Sequence, residues 1–125
     1  MTTKINWKLR KQKKEIGIVE GSKLIKQLRE ESNLTLKEVG VMIGISFQYI
    51  SQLEQGIKAP ADQMLACLAE CYNVEDYIIS EAYNRVPSSA EELLEDNAEL
   101  QIALAKLSKR EDKDDIIKQL VSMVE

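Results

Sequence analysis

Gly44 and Ser46 constrain the chain more than any other pair of positions, because the first ends a helix and the second begins one with a single residue between them. Thr35-Leu36-Lys37-Glu38 is a capping box, in which the Thr hydroxyl and the Glu carboxylate reciprocally satisfy orphan amides at a helix start. The helix it opens runs to Ile43, and Gly44 falls just past its end, where a left-handed backbone is usual and glycine adopts it without steric cost. Ser46 then N-caps Phe47 to Gln55, which directs Ile50 and Leu53 to a core before Gly56 ends the helix. Two short helices joined this tightly describe a helix-turn-helix module.

The flanking segments supply further helices. Between Gly21 and Glu31 the apolar positions Leu24, Ile25 and Leu28 recur at helical spacing, with Ser32-Asn33 as a stop signal. Pro60 suits the first turn of a helix that continues through Leu65, Leu68 and Ala69 to Tyr72, and Asn73 supplies a turn. A fifth short helix over 74–83 returns Ile78 and Ile79 to the core. Cys67 and Cys71 share one face of the fourth helix and are expected as small core residues. The expected fold is all-α, and a composition of 44% hydrophobic and 30% charged residues with only 5 Gly and 2 Pro agrees with it.

Charge divides the 125 residues into regions. Residues 1–14 carry six basic side chains, Lys4, Lys8, Arg10, Lys11, Lys13 and Lys14, and no acid, whereas ten acids face five bases from Pro87 onward. The net charge of -4 therefore does not argue against nucleic acid, since steering depends on local patches. The division predicts a basic N-terminal arm over 1–20, a helix-turn-helix domain over 21–84, a linker over 85–89 and a C-terminal helical segment over 90–125. Within the arm, Trp7 and the stretch Ile16-Gly17-Ile18-Val19 are read as a short strand or docking segment following a mobile tail. No apolar run approaches the roughly 18 to 20 residues that span a bilayer, and no signal-type stretch follows the basic N-terminus, so a cytoplasmic protein without membrane contact is expected. Two cysteines and no histidine assemble neither a disulfide framework nor a zinc site, and no cofactor is expected. With no phosphate-binding Gly loop and no nucleophile motif, the sequence does not read as an enzyme.

Taken in order, Leu28-Arg29, Leu34-Thr35, Ile43-Gly44-Ile45-Ser46, Tyr49-Ile50-Ser51-Gln52-Leu53-Glu54-Gln55-Gly56, Pro60 and Tyr72-Asn73-Val74 carry a resemblance. Residues 21–82 resemble the lambda-repressor-like, or Xre-type, helix-turn-helix regulators. The resemblance implies a five-helix domain, a structural ion pair between Arg29 and Glu54, and a recognition helix over Phe47 to Gln55 that enters the major groove of double-stranded DNA. It places Phe47, Gln48, Ser51 and Gln52 at base-reading positions and Ser46, Tyr49, Lys37 and Lys58 against phosphate. The chemistry suits these roles: a Gln amide donates and accepts at adenine N6 and N7 together, and Phe47 packs on a thymine methyl or, alternatively, meets a partner protein. Lys8, Arg10, Lys11, Lys13 and Lys14 are expected to track the DNA backbone or enter a minor groove. Two positions depart from the family pattern. Leu36 stands where many members carry a phosphate-contacting Gln, and Gly40 replaces a common Ala at a cost of about 1 kcal/mol of helix propensity.

The C-terminal segment follows a second capping box, Ser89-Ala90-Glu91-Glu92, which predicts a helix over 90–109. Leu93, Leu100 and Leu107 repeat every seven residues, with Asn97 and Leu104 at the other seam position, so these five are the expected dimerisation residues. The alternative is a helical hairpin closing through Lys109–Asp115 onto Ile116, Ile117, Leu120, Val121 and Val124. The leading function is a homodimeric, sequence-specific transcriptional regulator, a repressor. The alternatives are an antitoxin or other protein-interaction regulator whose acidic C-terminal helices hold a partner or anti-repressor, and an accessory DNA-binding protein of plasmids or mobile elements.

Overall fold

The computed structural model describes residues 2–125, with side chains from Trp7 onward, so the Lys4 side chain lies outside what is described. Eight helices and, among the described residues, no strand make up the chain: α1 (Thr2–Glu31), α2 (Leu36–Ile43), α3 (Phe47–Glu54), α4 (Asp62–Cys71), α5 (Asp76–Ala82), α6 (Ser88–Glu95), α7 (Ala98–Leu107) and α8 (Lys113–Val124). It divides after Ser89 into two compact units.

The first unit holds the hydrophobic core. Ile25 of α1, Val39 of α2, Ile50 and Leu53 of α3, Leu65 and Leu68 of α4, and Ile79 of α5 are all buried in it, as is Tyr83. The local signals at the turn act as their chemistry requires. Thr35 Oγ1 accepts from the Glu38 amide at 3.1 Å, and Glu38 Oε1 accepts from the Thr35 amide at 3.0 Å. Gly44 has φ +86, and the Gly40 carbonyl accepts from both Gly44 and Ile45, at 2.8 and 2.9 Å. A Cβ on Gly40 would sit 2.7 Å from the Ile45 carbonyl oxygen. An Ala side chain would clash there, so the lost helix propensity is offset by a closer turn.

The N-terminal region differs from the sequence expectation. The first helix begins at Thr2 and not near Gly21, and Ile16–Val19 is helical and not a strand. Gly17 and Gly21 lie one turn apart on the face that meets Tyr83. An added Cβ would fall 2.2 Å from the Tyr83 carbonyl oxygen at Gly17 and 2.3 Å from the Tyr83 ring at Gly21. The Asn84 amide reinforces this seam by donating to the Lys13 carbonyl at 2.9 Å. Two residues that weaken an isolated helix are therefore what allow α1 to pack against the end of α5. Tyr83, enclosed there, has its phenol pushed up to about 12 by desolvation.

Two further expectations are corrected. Pro60 precedes α4, which begins at Asp62, and the turn is held by Arg85, which donates to the Pro60 carbonyl and pairs with Asp62. Cys67 is exposed and Cys71 half-buried, because Leu65, Leu68, Ala69 and Tyr72 fill the core face of α4.

In the second unit the predicted helix over 90–109 is two helices broken at Asp96-Asn97. The Asn97 amide donates to the Leu93 carbonyl at 2.8 Å and the Gln101 amide to the Leu94 carbonyl at 2.6 Å, so side chains satisfy the end of α6 in place of the next helical turn. Leu93 is thus on α6, and Leu100, Leu104 and Leu107 are on α7, which interrupts the seven-residue seam. The second capping box is also not formed. The Ser89 amide and hydroxyl both donate to Asp76, each at 3.0 Å, and hold its carboxyl below the usual carboxylate range. No residue of α6, α7 or α8 is buried.

The packing of α1 predicts that Gly17→Ala lowers the free energy of unfolding by about 1–3 kcal/mol, since overpacking against backbone outweighs the gain in helix propensity. Urea denaturation checks this, and a stabilised variant would mean that α1 does not pack on Tyr83.

Candidate nucleic-acid interface

The interface is built on α3, and one ion pair fixes α3 to the scaffold. Arg29, in the last turn of α1, donates from Nε to Glu54 Oε2 at 2.6 Å and from Nη2 to Glu54 Oε1 at 2.9 Å, a planar fork on a carboxylate. Its Nη1 donates to the Leu34 carbonyl at 2.9 Å, at the entry to α2. The two side chains are 13% and 6% exposed, and the Glu54 hydrogen bonds raise the Arg29 pKa. One guanidinium thereby joins the end of α1, the approach to α2 and the end of α3. Tyr72 closes the same region, and its burial pushes its phenol well above the ordinary value.

At the opposite end, Ser46 Oγ accepts from the Tyr49 amide at 3.2 Å and caps α3. Phe47 and Gln48 are exposed in the first turn, while Tyr49, Ser51 and Gln52 are half-buried. Ser51 Oγ accepts from the Gln55 amide at 2.8 Å, which leaves its own hydroxyl proton available to donate. The Gln52 carbonyl accepts from the Ile57 amide at 3.0 Å, so the loop carrying Lys58 is hydrogen-bonded back onto α3.

Two cations stack on aromatic rings of α3. Lys37 Nζ lies 5.6 Å from the centre of the Phe47 ring, and Lys58 Nζ lies 5.7 Å from the centre of the Tyr49 ring. Contacts of this kind hold about 0.5–1 kcal/mol each at exposed sites. They gather two ammonium groups beside the N-terminal turn of α3, where the helix dipole is also positive. All four residues stand out in the sequence as interface candidates, but their pairing does not, because it depends on how α2 and the loop after α3 fold around the helix.

The arm residues Lys8, Arg10, Lys11, Lys13 and Lys14 are exposed on α1. Trp7, Arg10, Lys11 and Lys14 follow helical i, i+3, i+4, i+7 spacing and so form one stripe, with Lys11 Nζ 5.5 Å from the centre of the Trp7 ring. Among the described residues, no group of three or more His, Cys, Asp or Glu is placed to hold a metal ion, and no helix is long and apolar enough to cross a membrane.

A scaffold of five packed helices that presents a capped, cation-flanked third helix defines a helix-turn-helix DNA-binding module. Residues 25–84 match the family described as Helix-turn-helix, and this segment belongs to that family, of the Xre or lambda-repressor-like type. The family comprises DNA-binding regulators and not enzymes. No curated protein and no solved structure matches the chain. The matched segment contains every α2 and α3 residue named above, whereas the arm and the second unit lie outside it.

Arg29→Ala is expected to cost about 3–5 kcal/mol of stability, because it strands the Glu54 carboxylate in a nearly dry site. Removing both charges together, as Arg29→Met with Glu54→Leu, recovers most of that loss in the same denaturation assay.

Proposed function

We propose that the protein is a sequence-specific regulator that binds double-stranded DNA as a dimer and represses by occupying a promoter. The observation that carries this reading is the pair of stacked cations, Lys37 on Phe47 and Lys58 on Tyr49, flanking a turn that exposes Gln48 and Phe47. Helix α3, eight residues long, fits the major groove by its N-terminal face. Gln48, Gln52 and Ser51 read base edges by hydrogen bonding, and Phe47 packs on a thymine methyl. Lys37, Lys58, Tyr49 and Ser46 set register on phosphates without reading sequence.

The stripe on α1 adds charge to the phosphate contacts. Because it is helical, it lies along the backbone as a rod and does not thread a minor groove as an extended arm would. Arg10, Lys11 and Lys14 are its phosphate-facing residues, and Lys8 and Lys13 border them. Changing Arg10, Lys11 and Lys14 together to Gln should lower the slope of log affinity against log salt by about 2–3, at about 0.9 per phosphate contact. An unchanged slope would remove α1 from the interface.

Dimerisation belongs to the second unit in this reading. Its helices bury no residue while exposing Leu93, Leu104, Ile117, Leu120 and Val121, so that surface calls for a partner. The same observation supports a second reading, in which the acidic helices hold a different protein, as in an antitoxin.

Selection of the full-length protein against a random duplex library tests the proposal. An inverted repeat with half-sites about one helical turn apart is expected. Gln48→Ala and Gln52→Ala should each weaken binding to the selected site by about 1–3 kcal/mol while leaving binding to random DNA unchanged. No enriched sequence would overturn the direct-readout role of α3.

A further inference from the structure

The pocket between α2 and α4 is lined by Met42, Ile43, Cys67, Glu70 and Cys71 and has a volume of about 340 Å³. Three of its five lining residues bring sulfur, and none of the three takes part in the DNA-facing surface. Cys67 is exposed, Cys71 is half-buried and Met42 is 58% exposed, so all three residues border solvent. The cysteines are one turn apart on α4, which sets their Cβ atoms about 5–6 Å apart. A disulfide needs about 3.5–4.5 Å, so the intact helix does not close one. The longer separation suits two sulfurs that converge on an ion between them.

We propose that this pocket binds a soft, thiophilic cation of the Cu(I) type through the Cys67 and Cys71 sulfurs, with the Met42 thioether as third donor. Thiolate and thioether ligands select Cu(I), which accepts such low-coordinate sulfur sites. A structural zinc site needs four ligands, and the chain has no histidine to complete one. Burial pushes the Cys71 thiol up. As each Sγ–metal bond forms, the thiol proton passes to solvent, giving two protons released per ion and no change in oxidation state. The occupied site ties α4 to the last turn of α2.

The test uses the reduced full-length chain under argon and Cu(I) supplied as the complex of a chromophoric chelator. The wild type should withdraw one Cu(I) per chain. Cys67→Ser and Cys71→Ser should each weaken uptake at least about tenfold and Met42→Leu to a smaller extent. Circular dichroism reports whether each variant keeps its helix content, and Cys67→Ala and Cys71→Ala serve as second variants should a serine disturb α4. Failure of the wild type to withdraw the ion, full uptake by a folded Cys71 variant, or one ion held between two chains would each overturn the site. Ion uptake is measured without DNA, so it stands or falls independently of the DNA-binding reading.

Discussion

The geometry of the candidate interface depends on the Arg29–Glu54 fork. Helix α3, with eight residues, has too little apolar surface to fix its own orientation; Ile50 and Leu53 are its buried residues. The fork supplies the missing constraint at the C-terminal end of α3, and the third Arg29 donor carries it to the Leu34 carbonyl ahead of α2. Both helices of the module are thereby referenced to α1. Desolvating the pair is costly, so its contribution lies in fixing one arrangement more than in adding net stability.

Most of the module was legible in the sequence because its signals are local. Thr35 and Glu38, Gly44, Ser46 and Asn73 each act within a few residues of themselves, through caps and left-handed turns, and each acts as read. The misread elements depend on partners that apolar spacing alone does not reveal. Gly17 sits in a strand-like stretch and Gly21 at an apparent helix start until Tyr83, more than sixty positions away, is seen to need the space they leave. Asn97 fits a seam position by spacing, since the apolar repeat passes through it undisturbed, yet its side chain turns back to the Leu93 carbonyl. Cys67 and Cys71 read as core residues because small residues of α4 can be buried, and the actual core face is set by Leu65, Leu68 and Tyr72.

At the candidate interface the residue types were readable and the pairings were not. Lys37 and Phe47 come from different helices, and Lys58 reaches Tyr49 only because the loop after Gln55 hydrogen-bonds back to the Gln52 carbonyl. The two stacks also give Phe47 and Tyr49 a role that composition alone does not suggest, as rings that hold flexible ammonium groups in place. Lysine side chains restrained in this way have less conformational freedom left to lose than free ones.

The length of α1 has a consequence for how its charge acts. Thirty residues of helix extend about 45 Å, of which the sixteen from Thr2 to Gly17 make up about 24 Å. A flexible chain of sixteen residues would have a similar root-mean-square reach, about 20–24 Å, but would sweep it in all directions. A helix holds its charges on one bearing. The basic end of the molecule is therefore an outrigger and not a tether, with its charge fixed in direction relative to the helix that carries it.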